Sequence, residues 1–570
     1  MSTRFMKQGR RSLLAAAALA VIASSAMAQV AKDDYTYFEG GPLWLPGATD
    51  GLSGLQSVPQ LSVSSSKGAP QSLSAASVGN SFKGVSQFDL RGILGGSFIP
   101  PDTMGAVGAT QFMETTNGVY AVYSKTNGAL QSMVSAATFW AAAGATGGLN
   151  GDARILFDKP SQKWIATQFG ASFADIQIAV SNSSDALGGW KSTKFTGFAG
   201  GAFGGIADFP TLAIDTKGVY IGTNNFNCNN SVCNAASFAG TSLNVIARSD
   251  LLGSGAPTTA SLKQFNTSLA SGVDRGFAIQ GVNSTGPNSG RVIAASLSVN
   301  DSIRYNVSNP GTSGATLGPV TNLGLTNYAN ANGGGRQPDG TRNIDPSDQR
   351  IGASAWEQNG KIYAVYTATA VGGDRTEVRW VVTNAATNAV IQEGAIGDAT
   401  HDFYQGSLTV NASGQVVIGY NRSGFSVADG NVSFLARSFN SDAAGKLVQT
   451  NELLLHVSPV SDYHNGSAQG AAAVGRQRWG DYSAVTLDPN NDQNFWAIGE
   501  YAEVWNNANG CKLGVDFGCT QGGGSTWGTW ISEIKLDSVG AVPEPGTYAL
   551  MFGGLLAVGA VARRRAAAKA

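Results

Sequence analysis

Charge is scarce in this chain. Of 570 residues only 13% are charged, and 37 Lys and Arg against 38 Asp and Glu leave a net charge of −1. A protein that grips phosphates needs a basic surplus, so nucleic acid is excluded as a partner. Histidine is nearly absent: the three are His401, His456 and His464. His401-Asp402 and Asp462-Tyr463-His464 are the only pairings that suggest acid/base or metal chemistry, and isolated histidines in a large chain more often cap loops. GxSxG, HExxH and P-loop motifs are missing, which removes the hydrolase, zinc-protease and nucleotide frameworks they mark. Cysteine is limited to four residues, Cys228 and Cys233 in NCNNSVCN and Cys511 and Cys519 in GCKLGVDFGC. These spacings are unlike paired CxxC, and no histidine lies near either pair. Two loop-stapling disulfides are expected in an oxidising compartment; a metal site is the alternative.

What is abundant is Gly, at 75 residues, with Ser, Thr and Asn, a composition of turns and strands. The two ends address the chain for export. Residues 1–28 carry Lys7, Arg10 and Arg11, then an apolar stretch, then Ala26-Met27-Ala28, the layout of a cleaved secretory signal peptide. Residues 542–565 read VPEPGTYALMFGGLLAVGAVARRR. The apolar run at 548–562 is shorter than the roughly 20 residues a stable membrane span needs, and arginines mark its cytoplasmic side. This tail resembles the PEP-CTERM sorting signal of Gram-negative bacteria. The resemblance implies that an exosortase recognises Pro543, Glu544 and Pro545, that Arg563, Arg564 and Arg565 belong to the signal, and that the tail, in transient contact with the inner membrane, is removed. The remainder is then delivered to the outer surface or extracellular matrix.

Between the ends the chain repeats itself. Residues 29–98 are punctuated by Ser, Gly and Pro without a clear apolar period, and a loosely held segment is expected there. From about Pro100 a strand, a turn with Asp, Asn or Gly, and an aromatic strand recur seven times, as in TLAIDTKGVYIGTNNF and SLTVNASGQVVIGYNRS. No amphipathic helix is expected between Pro100 and Asp537. Such a repeat predicts an all-β fold, a seven-bladed β-propeller over 99–537, followed by a sorting tail over 538–570. Two β-sandwich domains are the alternative.

Each repeat opens on an aspartate: Asp102, Asp152, Asp208, Asp274, Asp348, Asp402 and Asp481. Counted to the turn residue, the offset is 7 for Asp102, Asp208 and Asp481, 9 for Asp274, Asp348 and Asp402, and 6 for Asp152. Offsets of 7 and 9 share parity and predict one facing. If the first strands line a central channel, these carboxylates gather at one mouth, as an acidic funnel for Ca²⁺ or a hydroxyl-rich ligand. The structural alternative is that each caps its own loop. Ser181–Trp190, SNSSDALGGW, resembles the Asp-box turn of sialidase-like, BNR-type propellers through Ser183, Asp185, Gly188 and Trp190, with different spacing and no Thr. The closing repeat, RWGDYSAVTLDPNNDQNFWAIGEYA, resembles the last blade of the same proteins. A sialidase uses an arginine cluster, a Tyr–Glu pair and an Asp; Arg350, Arg375, Arg476, Arg478, Tyr482, Glu500 and Asp481 are the residue types available, and no spacing joins them. Trp505, Trp527 and Trp530 are candidates to stack on sugar rings. The expected function is an exported binding or structural protein associated with exopolysaccharide, and the alternative is a carbohydrate-active enzyme, a hydrolase or lyase.

Overall fold

A computed structural model describes residues 75–536, apart from 146–150, 171, 202–203, 230–231, 269–271, 326–327, 329–333, 370–372, 443, 462, 465–476, 506–511, 513–514, 517–518 and 520–523. The expected signal peptide, most of the 29–98 segment, the sorting tail, Arg476, Asp462 and Cys511 lie outside the described residues.

Alternation of small and β-branched residues with tight turns makes antiparallel sheets of four strands in chain order. The first contains Met104–Val107, Gln111–Thr116, Val119–Ser124 and Leu130–Ser135. The second contains Arg154–Asp158, Lys163–Phe169, Asp175–Ser181 and Trp190–Thr196. A five-stranded sheet follows, with Gly205–Asp208 and Ala213–Ile214 inside and Gly218–Asn229, Val232–Ala247 and Lys263–Ser268 outside. The next sheet has nine strands, because Phe277–Asn283 pairs in parallel with Ala355–Gln358 and joins two antiparallel sets. His401–Val410 then leads a four-stranded sheet that ends in Leu447–Val457, and Ala484–Leu487 leads the last. The turns follow from residue type. Asn359 (φ 53°) and Gly360 (φ 72°) both take left-handed backbone, the pattern of a two-residue hairpin that only Asn and Gly adopt cheaply.

The sheets stand around an axis, and the apolar layers between them show it. Ile165, Ile178 and Val180 of the second sheet pack on Ile206, Ile214 and Val219 of the next. Tyr220, Leu243 and Val245 then pack on Ile279, Val292 and Ile303. Val282 and Ile293 meet Ile362 and Tyr366, Tyr363 and Val365 meet Phe403 and Leu408, and Val417 and Phe434 meet Val485 and Phe495. Phe112, Trp164 and Trp496 close the circuit. Each fully buried side chain of this kind contributes roughly 1.5–3 kcal/mol. Glycine lets neighbouring sheets approach: a Cβ on Gly222 would lie 2.0 Å from the Ile279 carbonyl oxygen, and one on Gly352 2.2 Å from that of Gly406. The fold is an all-β propeller. Two independent sandwiches would not place an apolar layer between every consecutive pair of sheets.

Two expectations are corrected. The boundary set at residue 99 moves to before Ala76, because Ala76–Ser86 is the outer strand of the last sheet, paired antiparallel with Ser525–Leu536. The ring is closed by this N-terminal strand. Its start is held by Asn451, whose carboxamide accepts from the Ala76 N–H at 2.8 Å and donates to the Ala76 carbonyl at 2.9 Å. Two helices, Ala136–Ala142 and Arg248–Leu252, interrupt the stretch expected to hold none. Both are short and follow directly on outer or third strands, so neither produced a helical period in the sequence. A third helix, Gln87–Leu94, follows the closing strand behind a capping box of Ser86 and Asp89.

Candidate functional site

Each innermost strand begins at the same face, here called the mouth. The narrow cavity behind it is lined by Met104, Arg154, Leu212, Ser354 and Val485, residues of successive inner strands. At the strand entries the backbone turns through left-handed conformations at Asp102 (φ 50°), Asp152 (φ 55°) and Phe209 (φ 51°), and within His401–Val410 it does so at Gln405 (φ 55°). Asp is among the few non-glycine residues that tolerate this region.

Four of the seven aspartates converge. Asn117 bridges two of them: its Nδ2 donates to Asp102 Oδ2 at 2.6 Å, and its Oδ1 accepts from the Asp152 N–H at 3.0 Å. Asp102 Oδ1 accepts from the Asp481 N–H at 3.0 Å, and the Tyr482 hydroxyl donates to Asp152 Oδ2 at 2.9 Å. Burial first, and then the charges of Asp481 and Asp152, push the Asp102 carboxyl up to about 7. Burial with Asp208 and Asp481 does the same for Asp152, to about 7. Burial and Asp481 raise Asp208 to about 7 as well. Burial and the Asp102 charge hold Glu500 well above the usual carboxylate range.

The other three do something else. Asp274 caps its own loop, accepting from the N–H groups of Gly276 at 2.8 Å and Leu297 at 2.9 Å and from the Ser296 hydroxyl at 2.6 Å. Asp402 is fully buried on Arg336, with two bonds of 2.9 Å from Nη1 and one of 3.0 Å from the backbone N–H. Asp348 pairs with Arg350, whose Nε donates to Oδ1 at 2.7 Å. Parity therefore does not decide which carboxylates meet. Asp152, with the even offset, joins the cluster; Asp274 and Asp402, with odd offsets, do not. The left-handed residues at the strand entries reset the alternation on which the count depends.

Arginines interleave with the acids. Arg350 Nη1 lies 3.8 Å from Asp481 and its guanidinium stands 4.5 Å from the Phe209 ring centre. Burial opposes its charge, but Asp348 and Asp481 hold it above its ordinary range. Arg478 Nη2 lies 3.5 Å from Asp481. Arg154 was missed by the sequence reading. It is completely buried, stacks at 3.7 Å on the Tyr482 ring, and donates from Nε to the Pro210 carbonyl at 2.8 Å. Its Nη2 is buried without a hydrogen-bond partner. The signal was an arginine inside an apolar strand, ARILFD. Arg350, Arg478, Asp481, Tyr482 and Glu500, which no spacing connected, thus meet at one place. Arg375 stands apart, 3.6 Å from Asp374. Among the described residues no three His, Cys, Asp or Glu side chains converge as ligands of a metal ion would.

The remaining candidates are scattered. His401 Nδ1 lies 2.8 Å from Asp398, not on Asp402, and His464 Nε2 lies 2.6 Å from Asp339. His456 stacks on Trp530 with ring centres 3.8 Å apart. Trp527 is fully buried and Trp530 partly exposed, while the Trp505 side chain lies outside the described residues. In the 181–190 turn, Asp185 Oδ1 accepts from the Leu187 N–H at 2.9 Å and Trp190 Nε1 donates to the Ala186 carbonyl at 2.8 Å, a structural turn away from the mouth. Cys228 faces Cys233 in register across its hairpin, and among the described residues no cysteine is free.

Comparison with known proteins adds the tail. Residues 541–565 match the PEP-CTERM protein-sorting motif. That motif implies processing by an exosortase and indicates export and sorting to the cell surface in Gram-negative bacteria. No curated protein matches the chain. Among solved structures it is similar to a protein of unknown function from Dyadobacter fermentans DSM 18053, at 9% identity and TM-score 0.33 over 81% of this chain and 99% of that one. It is also similar to the Dos1 propeller, at 9% identity and TM-score 0.35 over 75% of each chain. The β-propeller domain of the Trilobed protease from Pyrococcus furiosus matches at 8% identity and TM-score 0.31, over 70% of this chain and 90% of that one.

Proposed function

We propose that this protein is a cell-surface or matrix binding module that holds a polyhydroxy ligand, an exopolysaccharide, at the mouth of its propeller. The observation that carries the proposal is the convergence of Asp102, Asp152, Asp208 and Asp481 with Arg154, Arg350 and Arg478 on one recessed face. Carboxyls that switch between donor and acceptor near neutral pH, set beside fixed guanidinium donors, suit ligands dense in hydroxyls. Interleaved arginines suit Ca²⁺ poorly, so binding is expected to survive EDTA. The same reading counts the nine-stranded sheet as two blades, which gives seven. It also takes residues 1–28 as a cleaved signal peptide, Cys228–Cys233 and Cys511–Cys519 as disulfides, and the tail as a transient guest of the inner membrane. A glycan array probed with the purified protein, with and without EDTA, tests the binding. Failure to retain any glycan, or retention unchanged in Arg350→Met, counts against this site.

One observation favours a hydrolytic alternative: the Tyr482 hydroxyl is 2.9 Å from Asp152, among carboxyls held near 7. A hydrolase of the two-carboxylate kind needs one such raised acid. Release of reducing ends from a retained glycan, abolished in Asp152→Asn, would establish it.

A further inference from the structure

The strand directions fix where the tail leaves the propeller. Ala484, at the mouth end of the last inner strand, pairs with Ile498, and Leu487 with Phe495. Asn494–Trp505 therefore runs back toward the mouth. Trp505 pairs with Ser525 and Asn494 with Lys535, so Ser525–Leu536 runs away from the mouth again. Leu536 ends beside the turn at the far side, where its N–H donates to the Gln493 carbonyl at 2.9 Å. The closing strand begins there too, because Ala76 pairs with Leu536. Chain on both sides of the propeller thus leaves from the face opposite the acidic mouth. The sorting motif starts at residue 541, and its apolar run at residue 548. Eleven residues, 537–547, separate the last strand from the apolar run, and a chain of that length spans at most about 40 Å.

The far face also carries exposed lysines. Lys159, Lys217 and Lys446 reach solvent from the turns of the far face, and Lys535, paired with Glu533 at 3.3 Å, from the strand end beside them. The acids there are engaged: Asp158 by Arg248 and Asp488 by Lys125. Asp442 and Asp492 accept from turn N–H groups, at 2.9 Å from Ala444 and 3.1 Å from Ala412. The mouth face exposes Asp374, Asp398 and Asp429, of which Asp374 pairs with Arg336, Arg342 and Arg375 and the other two lie on His401.

We propose that the far face is a docking surface for an anionic lipid bilayer while the tail is uncleaved, so that the ligand mouth points away from the membrane before sorting is complete. This rests on the reading that the tail enters the bilayer. The short tether, leaving from the far face, keeps the lysine-bearing turns near the headgroups. The test places a fluorescent donor at Asn491→Cys, in a far-face turn, or at Val427→Cys, 85% exposed in a mouth-face loop. Protein purified with its tail uncleaved is reconstituted into phosphatidylglycerol vesicles carrying a rhodamine lipid acceptor. Energy transfer from position 491 is expected to exceed that from 427 severalfold, with the difference shrinking in neutral vesicles. Equal transfer from both positions in phosphatidylglycerol, or more from 427, overturns the proposal. Transfer from neither position above that of tail-cleaved protein overturns the membrane reading beneath it. The mouth's ligand binding, measured separately in solution, is untouched by either result.

Discussion

The carboxyls at the mouth contribute stability that is lost as the pH rises. Asp152 illustrates it. Its carboxyl moves from an ordinary 3.8 to about 7, chiefly through burial and then through Asp208 and Asp481. A group whose pKa rises on folding favours the folded state when protonated. Its contribution is complete below about pH 4 and is lost as the pH rises through about 7. At about 1.4 kcal/mol per pH unit, the interval from 3.8 to about 7 corresponds to a ceiling of about 4 kcal/mol. Partial exposure at the mouth and shared charge among its neighbours reduce this to about 2 kcal/mol. Asp152→Asn removes the charge, keeps a carbonyl oxygen to accept from the Tyr482 hydroxyl, and suits the left-handed backbone at this position. Urea unfolding followed by tryptophan fluorescence should show the variant more stable than wild type by about 2 kcal/mol at pH 8. The gap should shrink by more than half as the pH falls to 5 and close below about pH 4, where the unfolded chain is protonated as well. A stabilisation of the same size at both pH values, or none at pH 8, would refute the claim that a strained charge resides at Asp152.

Other expectations concern the ring. Asn451→Ala removes two hydrogen bonds to Ala76 and should weaken the closing strand by about 1–3 kcal/mol; amide exchange should quicken across residues 76–86 while the inner strands stay protected. Gly352→Ala drives a methyl against the Gly406 carbonyl and should cost about 1–3 kcal/mol in thermal unfolding, since backbone cannot yield as a side chain does. Arg336→Met leaves Asp402 buried without its ionic partner and should cost about 3–5 kcal/mol. Recovery of stability when Asp402→Asn is added to Arg336→Met would identify the lost charge pairing as the cause.

The strand-turn-strand repeat and its Asn-Gly turns are local features, so residues such as Asn359 and Gly360 announced them in the sequence. The aspartate at each repeat head was equally visible, and so was the sorting tail, because its Pro-Glu-Pro, apolar and arginine parts act as a linear signal. Other features were illegible for physical reasons. Ala76–Ser86 looked loose because its partner, Ser525–Leu536, lies some 450 residues away, and edge strands have weak patterns of their own. Parity misjudged Asp152 because side-chain alternation holds only in extended backbone, and Asp152 itself takes left-handed backbone at its strand entry. Arg154 could not be joined to Tyr482 by spacing, since the two come from different sheets and meet only when the ring closes. Sequence by itself determined the strand-rich fold class, the repeating units and the address on the tail, all of which depend on neighbours in the chain. Tertiary structure alone decided which four of seven aspartates share a site, which arginines balance them, and from which face the tail departs. Those facts depend on distances between residues hundreds of positions apart, and local periodicity carries no information about them.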